Sequence, residues 1–291
     1  MTTLRSEYSE RVDGAAPDNY LVTDDEALIR QAVELNRVVT TDEDYEAVWP
    51  LLSQMAEDVP AAIRIGTMML SRPDPVERAT GCQLLGRVVA AGSGDVKTAV
   101  IDALLAFADT EHDADVQWAM VRALDCAWDP RALPVLLQFV DHDDADLRRA
   151  AACGIFASMS DGEPDPAGLR ALIGLTRDAD PEVRNWAAFG LGAILDADSP
   201  EIRAALWERV GDDHAEAREE GICGLARRRD PRSIGLVAEL LADAAGARII
   251  VFEAAEMLAA PELLPFLAEY EPDDVGVAAA IEACTPKTPG S

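Results

Sequence analysis

The feature that most constrains the fold is a pattern that recurs six times along the chain. In each copy an acidic residue and an apolar residue precede an Arg, and an Ala- and Gly-rich segment follows. The column of arginines, with one Gln, consists of Arg78, Gln117, Arg148, Arg184, Arg218 and Arg248. Successive members lie 39, 31, 36, 34 and 30 residues apart. Such a period is typical of solenoids of stacked helix pairs, so the pattern predicts one elongated helical array.

Aspartates stand at a nearly fixed distance before this column. Asp74, Asp113, Asp144 and Asp180 lie four residues before it, and Asp213 and Asp243 lie five before it. Asp144 and Asp180 are well placed as N-caps, since an N-cap carboxylate accepts hydrogen bonds from free N–H groups of the first turn. Each repeat is therefore expected to contain a first helix and a second helix that carries the column. Four first helices are expected to start at a proline, Pro130, Pro200, Pro231 or Pro261.

The composition fits close packing of such helices, because 49% of residues are apolar and only 5% are aromatic. The core of the second helices is expected at the third, fourth and seventh positions after the column. Those positions hold Met120, Val121, Leu124, Ala151, Ala152, Ile155, Ala187, Ala188 and Leu191.

The chain is expected to divide into a flexible tail (1–20), a divergent helical cap (21–59), a solenoid of about six to seven helix pairs (60–285) and a disordered end (286–291). A seventh copy has Val277 where Arg is expected, as a capping repeat would. No apolar run is long enough for a membrane span, and no signal segment is recognisable. Five cysteines without a CxxC pair suggest buried reduced thiols. These features predict a cytoplasmic protein.

Charge is the second constraint. The chain has 54 Asp and Glu against 25 Lys and Arg, which gives a net charge of −29. Residues 1–60 carry fourteen acids and four bases, and residues 236–291 carry ten acids and two bases. Such a surface repels nucleic-acid phosphates and anionic lipids. The expected partner is a protein with a basic patch, with no membrane and no direct nucleic acid involved.

Two stretches, DPRALPVLLQFVDHDDADLRRAAACGI and DPEVRNWAAFGLGAI, resemble HEAT repeats, particularly the short bacterial kind related to phycobilin lyases. The resemblance covers roughly residues 60–285 and implies an all-α, right-handed solenoid of stacked antiparallel helix pairs of the HEAT/armadillo type. In such repeats the Arg is expected to pair with acids of the same or the adjacent repeat. The residues assigned to this structural role are Asp74, Arg78, Asp113, Asp144, Arg148, Asp180, Arg184, Arg218 and Arg248. Gln117 and Val277, which carry no charge, would interrupt this series of ion pairs.

The resemblance also implies that the second helices line a concave face. The positions expected to bind a partner there are Trp118, Arg122, Arg149, Asn185, Trp186, Glu219, Glu220 and Glu253. Aromatic and Arg side chains are frequent binding hot spots. The alternative is that both Trp rings fill gaps between layers.

No residue set nominates a catalytic, cofactor or metal site. His112, His142 and His214 each lie in a turn before a second helix, and layers about 10 Å apart would keep them from sharing one ion. Gly190 and Gly192 are read as positions of close helix packing. The run Arg227–Arg229 either ends a helix, where cations are favoured, or contacts an anionic partner.

The leading hypothesis is thus a non-enzymatic scaffold or adaptor, with a monomer favoured. One alternative is a chromophore lyase-like or other small-ligand-handling protein. Another is a HEAT-like DNA glycosylase, which the net charge disfavours, or a nucleic-acid mimic.

Overall fold

The computed structural model describes residues 25–38, 47–160, 162–243, 246–271 and 274–286. In these ranges every regular element is helical, so the predicted all-α class is confirmed. The chain forms two compact units, Met1–Ala123 and Leu124–Ser291. The expected tail, 1–20, and residues 287–291 lie outside the described residues, and the boundaries of the helical cap and solenoid stay predictions.

The first unit consists of successive helices. They are α1 (Asp25–Asn36), α2 (Trp49–Ala56), α3 (Val59–Met69), α4 (Pro75–Ala91), α5 (Gly94–Ala108) and α6 (Ala114–Asp125), the last of which continues past the boundary between units. The pairs α3/α4 and α5/α6 are the first two repeats.

Small residues let the helices of this unit approach closely. A Cβ added to Gly81 on α4 would lie 2.8 Å from the Cβ of Met69 on α3. Leu84 and Leu85 of α4 are fully buried. On α1 the amide of Asn36 donates to Thr80 Oγ1 at 2.8 Å and to Gln83 Oε1 at 2.7 Å, which ties the first helix to α4.

The second unit holds five further repeats. Their α-helices are α7 (Leu133–Leu136), α8 (Ala145–Ser158), α9 (Pro166–Leu175), α10 (Pro181–Phe189), α11 (Pro200–Arg209), α12 (Ala215–Arg227), α13 (Ile234–Leu241), α14 (Ile249–Leu258), α15 (Leu264–Leu267) and α16 (Val277–Cys284). Short 3₁₀ turns, Pro130–Ala132, Pro231–Ser233 and Pro261–Leu263, precede α7, α13 and α15, Leu137–Phe139 follows α7, and a π-helix, Gly190–Ile194, extends α10.

Prolines begin the first helices as expected, and the capping explains why. Asp129, Ser199 and Asp230 accept hydrogen bonds from the first turn that follows each of them. Asp165 and Pro166 give α9 the same kind of start. Proline suits this place because its missing N–H would have no helical partner there.

The expected core positions are confirmed. All nine residues predicted at the third, fourth and seventh places after the column are at most 1% exposed. Glycines set the closest approach between layers: a Cβ on Gly190 would lie 2.5 Å from the Phe156 ring, and one on Gly192 would lie 3.2 Å from the Gly224 Cα.

Three second helices end at a non-glycine residue in the left-handed region. The φ angles are 48° at Trp128, 52° at Arg229 and 49° at Ala259. L-residues adopt this conformation at a cost of about 1 kcal/mol or more. Each lies two residues before a proline that starts the next first helix, so the sharp reversal between helices imposes the strained backbone.

Within the described part of the chain, no helix is both long enough and apolar enough to cross a lipid bilayer.

Candidate partner-binding face and the layers that carry it

Arginines of the column form ion pairs with the turn of the next repeat. Arg78 binds Glu111 at 2.6 and 3.2 Å, and Arg148 binds Asp178 at 2.7 and 2.8 Å. Each contact joins both carboxylate oxygens to two guanidinium nitrogens, which is the strong bidentate geometry.

Arg184 makes the same bidentate contact with Asp212, at 2.8 Å for both bonds. In these three pairs the arginine side chains are 13–18% exposed and the carboxylates 2–9% exposed. We call the three pairs the rungs.

The same arginines also bind the turn before their own helix. Nη1 of Arg148 donates to the carbonyls of His142 and Asp143 at 2.8 and 3.0 Å, and Arg78 and Arg184 do the same five and six residues back. One guanidinium thus connects two turns, which fixes the stacking of one repeat on the next.

The rung carboxylates are held ionised. Burial raises the pKa of Asp178, but hydrogen bonds from Arg148 and from the Asp180 amide outweigh it, so the pKa lies below its usual value. The Arg184 side chain, above all, holds the pKa of Asp212 well below its usual range.

The acids that complete the rungs differ from the aspartates chosen from sequence. Asp74, Asp144 and Asp180 are N-caps of α4, α8 and α10, and Asp113 accepts from Asp115 N and Val116 N at 3.2 Å. These carboxylates point at helix N–H groups of their own repeat, so the paired acids are those two residues earlier. Asp74 also contacts Arg37, the residue that follows α1.

The remaining column positions depart from the pattern. Gln117 donates to the Glu111 carbonyl at 3.0 Å and, as a neutral amide, forms no ion pair. Arg218 donates to the Asp212 carbonyl at 2.6 Å. Here His214 replaces Asp as the N-cap of α12 and accepts from Ala217 N at 3.4 Å.

The predicted column positions of the sixth and seventh repeats, Arg248 and Val277, are wrong. Arg248 is the N-cap residue of α14 and pairs with Glu219 at 2.8 Å. Four residues after each N-cap, where the arginine belongs, stand the buried Phe252 in α14 and Ala280 in α16. Val277 is instead the first residue of α16. These two helices therefore have no column arginine.

The predicted partner-binding residues are less exposed than expected. In the first unit Trp118 and Arg122 are half-buried. In the second unit Asn185, Trp186, Glu219 and Glu253 are half-buried, and the Arg149 side chain is 37% exposed.

Glu220 was placed on the exposed stripe and is instead buried, at 5% exposure. It stands two residues after the column, a position that is also buried at Thr80, Ala119 and Ala150. That position faces the neighbouring layer, which is why the prediction failed.

Trp186 belongs to a row of aromatic rings between layers. Its ring meets Phe189 edge-on with centroids 5.6 Å apart, and Phe189 meets the buried Phe156 in the same way at 5.6 Å. This packing favours the gap-filling alternative for Trp186. Its part in partner binding stays a prediction.

Ion pairs also lie on the second helices of the second unit. Arg227 of α12 binds Glu253 of α14 at 2.6 Å, and within α8 Arg149 binds Asp146 at 2.9 Å. Burial raises the pKa of Glu219 even though Arg248 lies beside it.

Two arginines of the basic run at 227–229 bind the preceding repeat. Arg228 donates to the carbonyls of Leu191 and Gly192 in the π-helix and to those of Leu195 and Ala197 just after it. It also donates to the Gly224 carbonyl of α12. Arg227 donates to Ala193 O at 2.8 Å. Burial lowers the pKa of Arg228 to about 10, so it stays charged at neutral pH. The prediction that this run ends a helix understated its role, because Arg228 also binds the carbonyl end of the preceding second helix.

The histidines have local roles. His142 accepts from Asp144 N at 3.0 Å, His214 caps α12, and His112 is exposed. In the described ranges, no group of three or more His, Cys, Asp and Glu has the spacing to hold a metal ion. All five cysteines are free thiols.

Comparison with known proteins identifies related sequences. A family model for HEAT repeats matches residues 64–154 and 169–259. Protein YibA of Escherichia coli K12 is 35% identical over 96 residues, which make up 33% of this chain and 32% of YibA. The sequence match thus spans about a third of the length of this curated relative.

Solved structures share the architecture. The X-ray structure of Escherichia coli YibA superposes with a TM-score of 0.61 at 23% identity, over 92% of this chain and 98% of that one. The karyopherin Kap121p bound to the SUMO protease Ulp1p gives 0.58 at 14% identity, over 89% of this chain and 33% of that one. At these identities the likeness shows the fold, an α-solenoid of the HEAT/armadillo class.

Proposed function

The chain belongs to the HEAT-repeat family, and from that premise we propose that it is a non-enzymatic scaffold that binds a basic protein partner. The observation that carries the proposal is the separation of its charges. The three rung arginines and Arg228 bind between the layers, while only five acids of the described residues are buried.

The rungs illustrate this separation. Arg78, Arg148 and Arg184 donate their hydrogen bonds to internal carboxylates and carbonyls. Arg228 donates to five backbone carbonyls. Each rung is a neutral pair, so the rungs leave the net negative charge to the other side chains. A surface with a net charge of −29 on the whole chain attracts and steers basic partners.

The fold supports the same proposal. Solenoids of this class present extended surfaces along their second helices, and Kap121p, which shares the fold, has been seen with a bound protein. We assign the contact to the inner face of the second helices. The protein is proposed to act as a monomer in the cytoplasm, where free thiols persist.

Photo-crosslinking in the native cell, followed by titration of the purified partner over a range of salt concentrations, tests this proposal. We expect a partner with a basic surface whose affinity falls steeply with salt. A stoichiometric partner that is acidic and insensitive to salt would refute it.

The same preparations separate the other classes. Visible absorbance that copurifies with the protein would indicate a chromophore-handling protein, and a salt-sensitive gel shift with DNA would indicate a nucleic-acid enzyme. Either result would replace the scaffold proposal.

A further inference from the structure

Helix α14 of the sixth repeat exposes two large apolar side chains that its core does not use. On α14, Ile249 is 41% exposed and Met257 is 44% exposed. They lie eight residues apart with the half-buried Glu253 between them, so the three share one side of the helix. We call Ile249 and Met257 the C-terminal patch.

The opposite side of α14 packs in the core of the last repeats. Val251, Phe252, Ala254 and Ala255 are buried in the core of these repeats. The exposed side chains therefore add nothing to that core, and their apolar surface is left to water.

α16 lies beside α14 and runs in the same direction. A Cβ on Gly276, the N-cap of α16, would lie 3.1 Å from the Phe252 Cβ. At the other end Cys284 Sγ donates to the Ala255 carbonyl at 3.4 Å.

The chain from Ile249 onward is acidic, and two arginines lie at one edge of the patch. Residues 249–286 contain eight acids and no Lys or Arg. At the edge toward α12, Arg227 pairs with Glu253 and Arg248 pairs with Glu219. On α14 and α16 themselves Glu256 and Glu282 are exposed.

The three preceding second helices of this unit lack this pair of exposed apolar side chains. Counted from the N-cap, Ala145, Pro181 and Ala215 stand at the position of Ile249. At the position of Met257 stand the buried Cys153 and Cys223 and the half-buried Phe189. The column of arginines also ends before α14, where Phe252 occupies the column position. The change of chemistry is thus confined to the last repeats.

We propose that the C-terminal patch docks an amphipathic, cationic helix of a partner protein. Apolar side chains of that helix cover Ile249 and Met257, and its Lys and Arg side chains face Glu256 and Glu282. The two apolar contacts lie about 12 Å apart along α14, the distance between positions i and i+8 of a helix. An anionic membrane or DNA does not fit, because the surrounding carboxylates repel both.

This inference rests on the proposed scaffold function and narrows it to one end of the inner face. The test uses the full chain and a fluorescent synthetic helix with Leu along one face and Lys elsewhere. A scrambled peptide of identical composition and a Leu/Glu helix are the comparison probes. Binding is followed by anisotropy.

We expect the Leu/Lys helix to bind more tightly than either comparison probe. The double variant Ile249→Ser/Met257→Ser should weaken this binding by about tenfold or more, because two apolar contacts are lost. Met68→Ser is the matched control: Met68 is 43% exposed on α3, and its loss should change the affinity less than about twofold. Circular dichroism checks that each variant is folded.

Electrostatics gives a second readout. Glu256→Gln/Glu282→Gln should reduce the slope of affinity against salt concentration while the Leu contacts persist. Equal binding of the scrambled peptide would overturn the docking site. Binding of the folded chain to phosphatidylserine vesicles through the patch would overturn it as well.

The failure of this inference can be told apart from the failure of the scaffold proposal. If the cellular partner binds with salt-dependent affinity, and Ile249→Ser/Met257→Ser leaves that affinity unchanged, the scaffold proposal stands and the docking site at the patch is refuted.

Discussion

The rung between the third and fourth repeats gives the most detailed prediction. Replacing Arg148 by Gln copies what the chain itself has at Gln117. The amide can still reach a carbonyl of its own turn, as Gln117 does at 3.0 Å. It cannot replace the two bonds to Asp178, at 2.7 and 2.8 Å. The variant therefore removes the link between repeats and leaves the local turn.

The magnitude follows from burial. The Arg148 side chain is 15% exposed and that of Asp178 is 9% exposed. Breaking a fully buried pair costs about 3–5 kcal/mol, and breaking an exposed pair costs about 0–1 kcal/mol. We expect Arg148→Gln to lower the free energy of unfolding by about 2–3 kcal/mol, because Asp178 keeps only the backbone bond from Asp180, at 2.8 Å.

Urea unfolding followed by circular dichroism measures this loss. The neighbouring Arg149→Gln breaks an exposed pair, with side chains 37% and 66% exposed, and should cost less than about 0.5 kcal/mol. Arg148→Gln/Asp178→Asn should be more stable than the sum of the single variants predicts, by about 1–2 kcal/mol, since no buried charge is left alone. If Arg148→Gln behaves like Arg149→Gln and the coupling is zero, the rung does not hold the repeats together.

Three further predictions concern the second unit. Ala259→Gly should raise the free energy of unfolding by about 0.5–1 kcal/mol in urea unfolding, since glycine adopts a φ of 49° without strain; no gain would mean the strain is absent. Arg228→Met should cost about 3 kcal/mol and should first increase hydrogen exchange at 190–197, where carbonyls lose their donor, whereas the exposed neighbour Arg229→Met should change little. The Arg232 side chain, above all, lowers the pKa of Asp230 from 3.8 to about 2. Its contribution of about 1–2 kcal/mol is present above pH 4 and is lost as the pH falls through about 2. Asp230→Asn should remove this part of the acid dependence in unfolding experiments, and an unchanged profile would contradict the assignment.

The helical architecture could be predicted because its signals are local. Asp144 and Asp180 cap the helices that follow them, and the core positions counted from the column are all buried. Both features depend on a few neighbouring residues and on the helical period, which the sequence displays directly.

The acid partners of the rungs could not be read in the same way, because they lie about 30 residues away from their arginines. A signal was nevertheless present two residues before each cap, where Glu111, Asp178 and Asp212 stand. The repeat that follows Gln117 has His142 at this position, so the acid is absent where the arginine is absent.

The inner face was the least predictable part. Whether a position two residues after the column faces solvent or the next layer depends on how the repeats stack, and Glu220 faces the layer. The exposed pair Ile249 and Met257 was missed because Arg248 was counted inside the helix that it precedes. A count from the N-cap would have put Glu253 on the inner face with Met257 one turn further.

The central claim is that the repeated charges hold the layers together while the unrepeated surface binds the partner. The most direct test is the affinity of the Arg148→Gln variant for the purified partner, measured well below its melting temperature. The expected result is an unchanged affinity in a destabilised protein. A folded Arg148→Gln variant that no longer binds the partner would contradict the claim, because the rung would then belong to the binding site.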